Sequence, residues 1–206
     1  MNRLAVLILP LAMLAACTSQ PSKPVATEPP KPKAPELLTG RAAFQKMYIQ
    51  AHGWANDARP FDLESQVTGD SKGRDGKSAV WRASFASPSR GSLKPFVWSG
   101  TDASDAPSRG VSPGSEDTYN PTNSNTQTFD VAFMKVDSDK VFEEAQKHGG
   151  DKVLAKNPDL PVLYVVNWNR GANQLVWHVI YGNDRDTAKL RVALDGSTGA
   201  FLRIEK

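Results

Sequence analysis

Ala79-Val80-Trp81-Arg82-Ala83-Ser84-Phe85 and Leu175-Val176-Trp177-His178-Val179-Ile180-Tyr181 align residue for residue, and the same register carries Leu93–Gly100 onto Lys189–Gly196 without a gap. Each copy reads as a strand, a polar turn and a second strand. In the later copy Asp184-Arg185-Asp186 supplies the turn. Self-similarity at this spacing means that one supersecondary plan is used twice.

Upstream of each hairpin the apolar period changes from two to three or four. The first helix is expected from Thr39, an N-cap residue type, through Phe44, Met47 and Tyr48 to Gly53. The second starts near Ser138, carries Val141, Phe142 and Ala145, and is expected to stop at Gly149-Gly150. A proline and another strand follow each helix: Pro60 with Leu63–Val67, and Pro158 with Val162–Trp168. A closing strand is expected at 129–136 in the first unit and at 200–205 in the second. Helix followed by consecutive strands implies an α+β protein of two tandem modules, each an antiparallel sheet with a helix on one face. The modules are 37–136, carrying a long Ser/Asp/Asn/Gly/Pro-rich loop at 101–128 that is expected to be mobile, and 137–206.

The C-terminal run Trp177-His178-Val179-Ile180-Tyr181, then Leu190 to Leu194, then Asp195-Gly196-Ser197-Thr198-Gly199 before a last strand, resembles the end of a PepSY-type domain. The resemblance covers about 136–204, and the first module is similar as a degenerate copy. It implies a small helix-plus-sheet module of bacterial secreted proteins, associated with peptidase binding and inhibition. The turn chemistry is local: Asp195 and Thr198 can bond backbone amides while Gly199 takes a positive φ. Ser99-Gly100-Thr101-Asp102 in the first copy departs from that pattern.

One strand face of the second module presents Val162, Tyr164, Val166, Trp168, Leu175, Trp177, Val179, Tyr181, Leu190, Val192 and Leu194, a coherent core. Trp81, Phe85, Phe96 and Trp98 match it in the first. The opposite faces differ. The first shows Asp62, Glu64, Gln66, Arg82 and Ser84; the second shows Leu163, Val165, Val176, His178 and Ile180. Apolar area of that extent is expected either to be covered within the molecule or to mark a contact site. Leu163, Val165, His178 and Ile180 are therefore the candidate partner-binding residues.

The N-terminus places the molecule. Arg3, an apolar run from Leu4 to Ala16 and small residues before a cut have the zones of an export signal, residues 1–16. The run is too short to span a bilayer, which takes about 20 residues. Leu14-Ala15-Ala16-Cys17 resembles the lipobox of bacterial lipoproteins. That resemblance implies lipidation of Cys17 by a thioether-linked diacylglycerol and an amide-linked acyl chain of the palmitate type. Thr18, rather than Asp, then implies the outer membrane, facing the periplasm. Residues 17–36 hold Pro21, Pro24, Pro29, Pro30, Pro32 and Pro35, a stiff polyproline-like spacer. Cys17 is the lone cysteine, so no intrachain disulfide forms.

A net charge of +3 with scattered basic residues gives no nucleic-acid footprint. His52, His148 and His178 lack metal-ligand spacing, and His52 and His148 sit where an imidazole suits a helix C-terminus. No G-x-S-x-G elbow or phosphate-binding glycine loop occurs. The expected protein is a lipid-anchored, non-catalytic binding module without a cofactor or bound metal, whose partners are membrane lipid through Cys17 and an envelope protein or peptide. A purely structural envelope lipoprotein and a hydrolase using His178 are the alternatives.

Overall fold

A computed structural model describes residues 33–205. The signal segment, Cys17 and the spacer up to Pro32 lie outside the described residues.

The elements are β1 (Leu38–Thr39), α1 (Gly40–Trp54), β2 (Arg59–Gln66), β3 (Lys77–Ser78), β4 (Val80–Ser87), β5 (Ser92–Ser99), β6 (Gly110–Pro113) and β7 (Asp117–Thr118) in the first module. The second holds α2 (Ser138–Ala145), α3 (Asp151–Lys156), β8 (Val162–Asn169), β9 (Gln174–Tyr181), β10 (Leu190–Asp195) and β11 (Phe201–Glu205). β1 and β3 make a two-stranded ribbon. The other strands form one nine-stranded antiparallel sheet in the order β11-β10-β9-β8-β2-β4-β5-β6, with β7 also on β5. The two modules are thus halves of a single sheet. They join where Asp62, Leu63 and Glu64 pair with Asn167, Val166 and Val165.

The order is palindromic about that seam, and the repeat is carried into the hydrogen-bond register. Trp81 faces Trp98 in the first hairpin, and Trp177 faces Leu194, each 96 positions later, in the second. The equivalent tryptophans also bond equivalently. Trp81 Nε1 donates to the Leu38 carbonyl (2.9 Å) and Trp177 Nε1 to the Val136 carbonyl (3.1 Å). Both carbonyls belong to the residue just before a helix N-cap, Thr39 or Asp137. Each fully buried tryptophan removes about 200 Å² from water, roughly 5 kcal/mol of transfer free energy.

The helices cover one face of the sheet over a shared core of Ala43, Phe44, Met47, Leu63, Trp81, Phe85, Tyr164, Val166, Trp177, Val179 and Leu194. At the centre Gly40 opens α1 against both indoles. A Cβ there would lie 2.8 Å from Trp177 Cη2 and 3.1 Å from Trp81 Cη2. No side chain larger than hydrogen fits without displacing a tryptophan.

The second helix does break at Gly149-Gly150: His148 (φ −101°, ψ 28°) and Gly149 (φ 107°) leave helical geometry, and glycine supplies the left-handed backbone of the stop. A further short helix, α3, follows it directly. Two expectations are corrected. The closing strand of the first module is β6, not residues 129–136. There Asp130 accepts a bond from the Ala132 amide (2.8 Å) and caps a 3₁₀ turn at Val131–Phe133, while Phe129 and Met134 enter the core. The 101–128 loop is also structured: it supplies β6 and β7. It is fastened by Arg109, which donates to the carbonyls of Lys33 (3.1 Å), Ala34 (3.3 Å) and Gly100, and to Asp102 (2.9 Å).

The Asp195 turn has the expected geometry. Asp195 Oδ1 accepts from the amides of Ser197 and Thr198, both at 2.7 Å, and Gly199 has φ 77°.

Candidate binding surfaces

Leu163, Val165, His178 and Ile180 come together on β8 and β9, on the sheet face away from the helices. Leu163 pairs with Ile180, and Val165 with His178. Glu64 flanks Val165 across the seam, and Arg191 and Ala193 flank Ile180 and His178 on β10. Leu163 and Val165 are half-buried. Ile180 is only 1% exposed and His178 7%. Ile180 and His178 are thus largely covered, while Leu163 and Val165 keep partial exposure.

His178 is fixed by polar partners. Its Nδ1 lies 2.9 Å from Glu205 Oε2, and its Nε2 lies 3.3 Å from Asn167 Oδ1. The bond from His178 holds the Glu205 carboxyl down to about 2 against the opposing effect of burial, with Arg203 adding at 2.8 Å. The partners of the ring are a carboxylate and an amide; no hydroxyl bonds it among the described residues.

A more concave feature lies on the helix side, beside α1. Arg41, Gln45, Tyr48 and His52 fall on one stripe of the helix, adjoining its buried face. They face the segment 128–137. Between them run two cavities of about 450 and 380 Å³ that share Tyr48 and Val131. Phe44, Met134 and Phe129 give an apolar floor; Arg59, Asp130 and Asp137 give charged margins. The His52 ring packs edge-on to Tyr48 at 4.3 Å. Its Nε2 is buried and has no hydrogen-bond partner. Such an atom is unusual in a native structure unless a ligand or water meets it. Exposed Ile49, 65% accessible, lies next to this stripe. The signal for the groove was present in the spacing 41, 45, 48, 52, but it is legible only once residues 128–137 are known to lie opposite.

No family model matches the chain, and no curated protein matches it. Among solved structures the fold is similar to that of a candidate lipoprotein from Clostridium difficile 630, determined at 1.85 Å. The two share 11% sequence identity and superpose with a TM-score of 0.53 over 85% of this chain and 94% of that one. At that identity the likeness establishes the α+β architecture alone.

Proposed function

We propose that this protein is a lipid-anchored component of the cell envelope that works by binding a peptide segment of a partner protein, without catalysis. The anchor is Cys17, whose setting resembles a lipobox; Thr18 favours the outer membrane, with the folded body in the periplasm. The lipoprotein description of the Clostridium difficile structure agrees with this placement. The observation that carries the binding role is the groove beside α1, where an apolar floor, charged margins and the orphaned His52 Nε2 converge. An extended peptide supplies both the side chains for such a floor and a backbone group for the imidazole.

A peptidase as the partner is the finer form of this reading. It rests on the PepSY-like C-terminal run and the amide-bonded Asp195 turn.

The test is a photo-crosslinking residue at Gln45 in intact cells, with one at Asn183 as control. The expected result is one discrete adduct from position 45, weakened by Tyr48→Ala and by His52→Ala. Equal adducts at both positions, or adducts indifferent to those substitutions, would leave the structural-lipoprotein alternative in possession.

A further inference from the structure

A separate site lies at the seam of the two modules, at the end of the sheet where β2 begins and β8 finishes. A cavity of about 340 Å³ is lined by Phe61, Asp62, Ser124, Asn125, Gln127, Asn167 and Trp168. β2 bulges here: Pro60 faces Phe85, the next paired residue is Asp62 facing Ser84, and Phe61 is the extra one. Bulges of this kind re-aim side chains and recur beside functional sites. Asp62 Oδ1 is buried and makes no hydrogen bond. A buried carboxylate oxygen without a partner is costly, so the arrangement calls for a donor from outside.

The rest of the wall narrows the donor's chemistry. No basic side chain lines the cavity, and its one charged group is a carboxylate, which disfavours anions. Asn125 lies on an exposed loop, and the side chain of Asn167, which meets His178 through Oδ1, retains its amide donor. Phe61 and Trp168 supply aromatic surface, and Trp168 is braced by Phe133 with ring centroids 5.1 Å apart. A lone ammonium group could satisfy Asp62 but would leave the amides idle. A molecule with hydroxyls around an edge and C–H bonds on its faces uses carboxylate, amides and aromatic rings together. We infer that this cavity is a binding site for a neutral sugar ring, with Asp62 accepting from its hydroxyls, Asn125 and Asn167 bonding its polar edge, and Trp168 packing against its C–H face. The site is distinct from the groove beside α1 and does not depend on it. The ring could belong to a free oligosaccharide or to the glycan of an envelope polymer; the recognising chemistry is the same.

The test is calorimetric titration of the full chain in detergent at pH 7.5 with tri-N-acetylchitotriose and with maltotriose. Saturable binding of either at one site per chain is expected, weakened at least tenfold by Asp62→Asn and at least threefold by Asn125→Ala. The second variant lies on an exposed loop, so it keeps the test valid if the first fails to fold. Retention on isolated peptidoglycan sacculi, competed by the trisaccharide, would assign the polymer; binding of the soluble sugar alone would assign the free oligosaccharide. The inference is overturned if neither sugar saturates, if both variants bind as the parent does, or if propylamine binds at this site in place of sugar.

Discussion

Thr39 Oγ1 donates a 2.7 Å hydrogen bond to Asp137 Oδ2, so the N-cap residues of the two equivalent helices hold each other. Thr39 caps nothing with its own side chain. Asp137 serves both helices: its Oδ1 accepts from the Ser138 amide (2.7 Å) in α2 and from the Arg41 amide (2.9 Å) in α1. Ser138 Oγ accepts from the Gly40 amide at 2.7 Å and donates to the Gly76 carbonyl at 2.5 Å. The first helix is therefore capped by the second module.

Asp137→Ala removes a cap from two helices at once. A single cap is worth about 0.5–2 kcal/mol, so a loss of about 2–3 kcal/mol is expected in urea unfolding. Thr39→Ala deletes one donor only and should cost about 1 kcal/mol. If the two variants cost the same, the shared cap is not the source of the effect.

Gly40→Ala and Gly53→Ala should have opposite signs. Both lie in α1, where alanine is intrinsically favoured by about 1 kcal/mol. At Gly53 nothing lies within 4 Å of the added Cβ, and thermal stability should rise. At Gly40 the Cβ meets two indoles, and overpacking of about 1–3 kcal/mol should outweigh propensity. Melting temperatures of the pair decide the matter.

Glu205 and Asp62 predict opposite responses to acid. The His178 bond holds the folded Glu205 carboxyl at about 2, below its ordinary 4.5. Its contribution, about 2–3 kcal/mol, is present above pH 4.5 and lost as pH falls toward 2. Glu205→Gln should thus be destabilised at pH 7 and approach the parent near pH 2.

Burial, aided by Glu64, pushes the Asp62 carboxyl up to about 6. The folded state then binds the proton more tightly than the unfolded chain, and stability falls as pH rises from 4 to 6. Asp62→Asn should gain about 1–3 kcal/mol over the parent at pH 8 and lose that advantage by pH 4. Paired denaturation curves at the two pH values measure it.

Ile180→Asp should unfold the free protein, since it puts a charge at a position 1% exposed. Val165→Asp, at a half-buried position on the same face, should leave a folded chain by circular dichroism. Equal tolerance at both positions would contradict the packing described.

The hairpins were legible because alternation and repetition agree: the 96-residue offset that aligns Trp81 with Trp177 also sets both ladders. The seam was not. Asp62–Glu64 and Val165–Asn167 carry patterns equally compatible with exposed edges, and only three residues a side make the join. β6 was missed for a related reason: Gly110-Val111-Ser112-Pro113 has a single apolar residue, and its place beside β5 is set by tertiary pairing. Of the candidate surfaces, the β8–β9 quartet was legible as a cluster from strand alternation, but its degree of cover was not, because cover depends on packing that alternation does not encode. The groove and the Asp62 cavity each need a segment distant in sequence to form their second wall.

The Arg109 clasp has a mechanical meaning. Tension arriving along the backbone at residue 33 is met first by the guanidinium bonds to the Lys33 and Ala34 carbonyls, then by the Glu36 amide on the Gly100 carbonyl at 2.9 Å. Load is therefore taken up at the root of a loop before it reaches α1 or the sheet, as a cable grip spares the connector behind it.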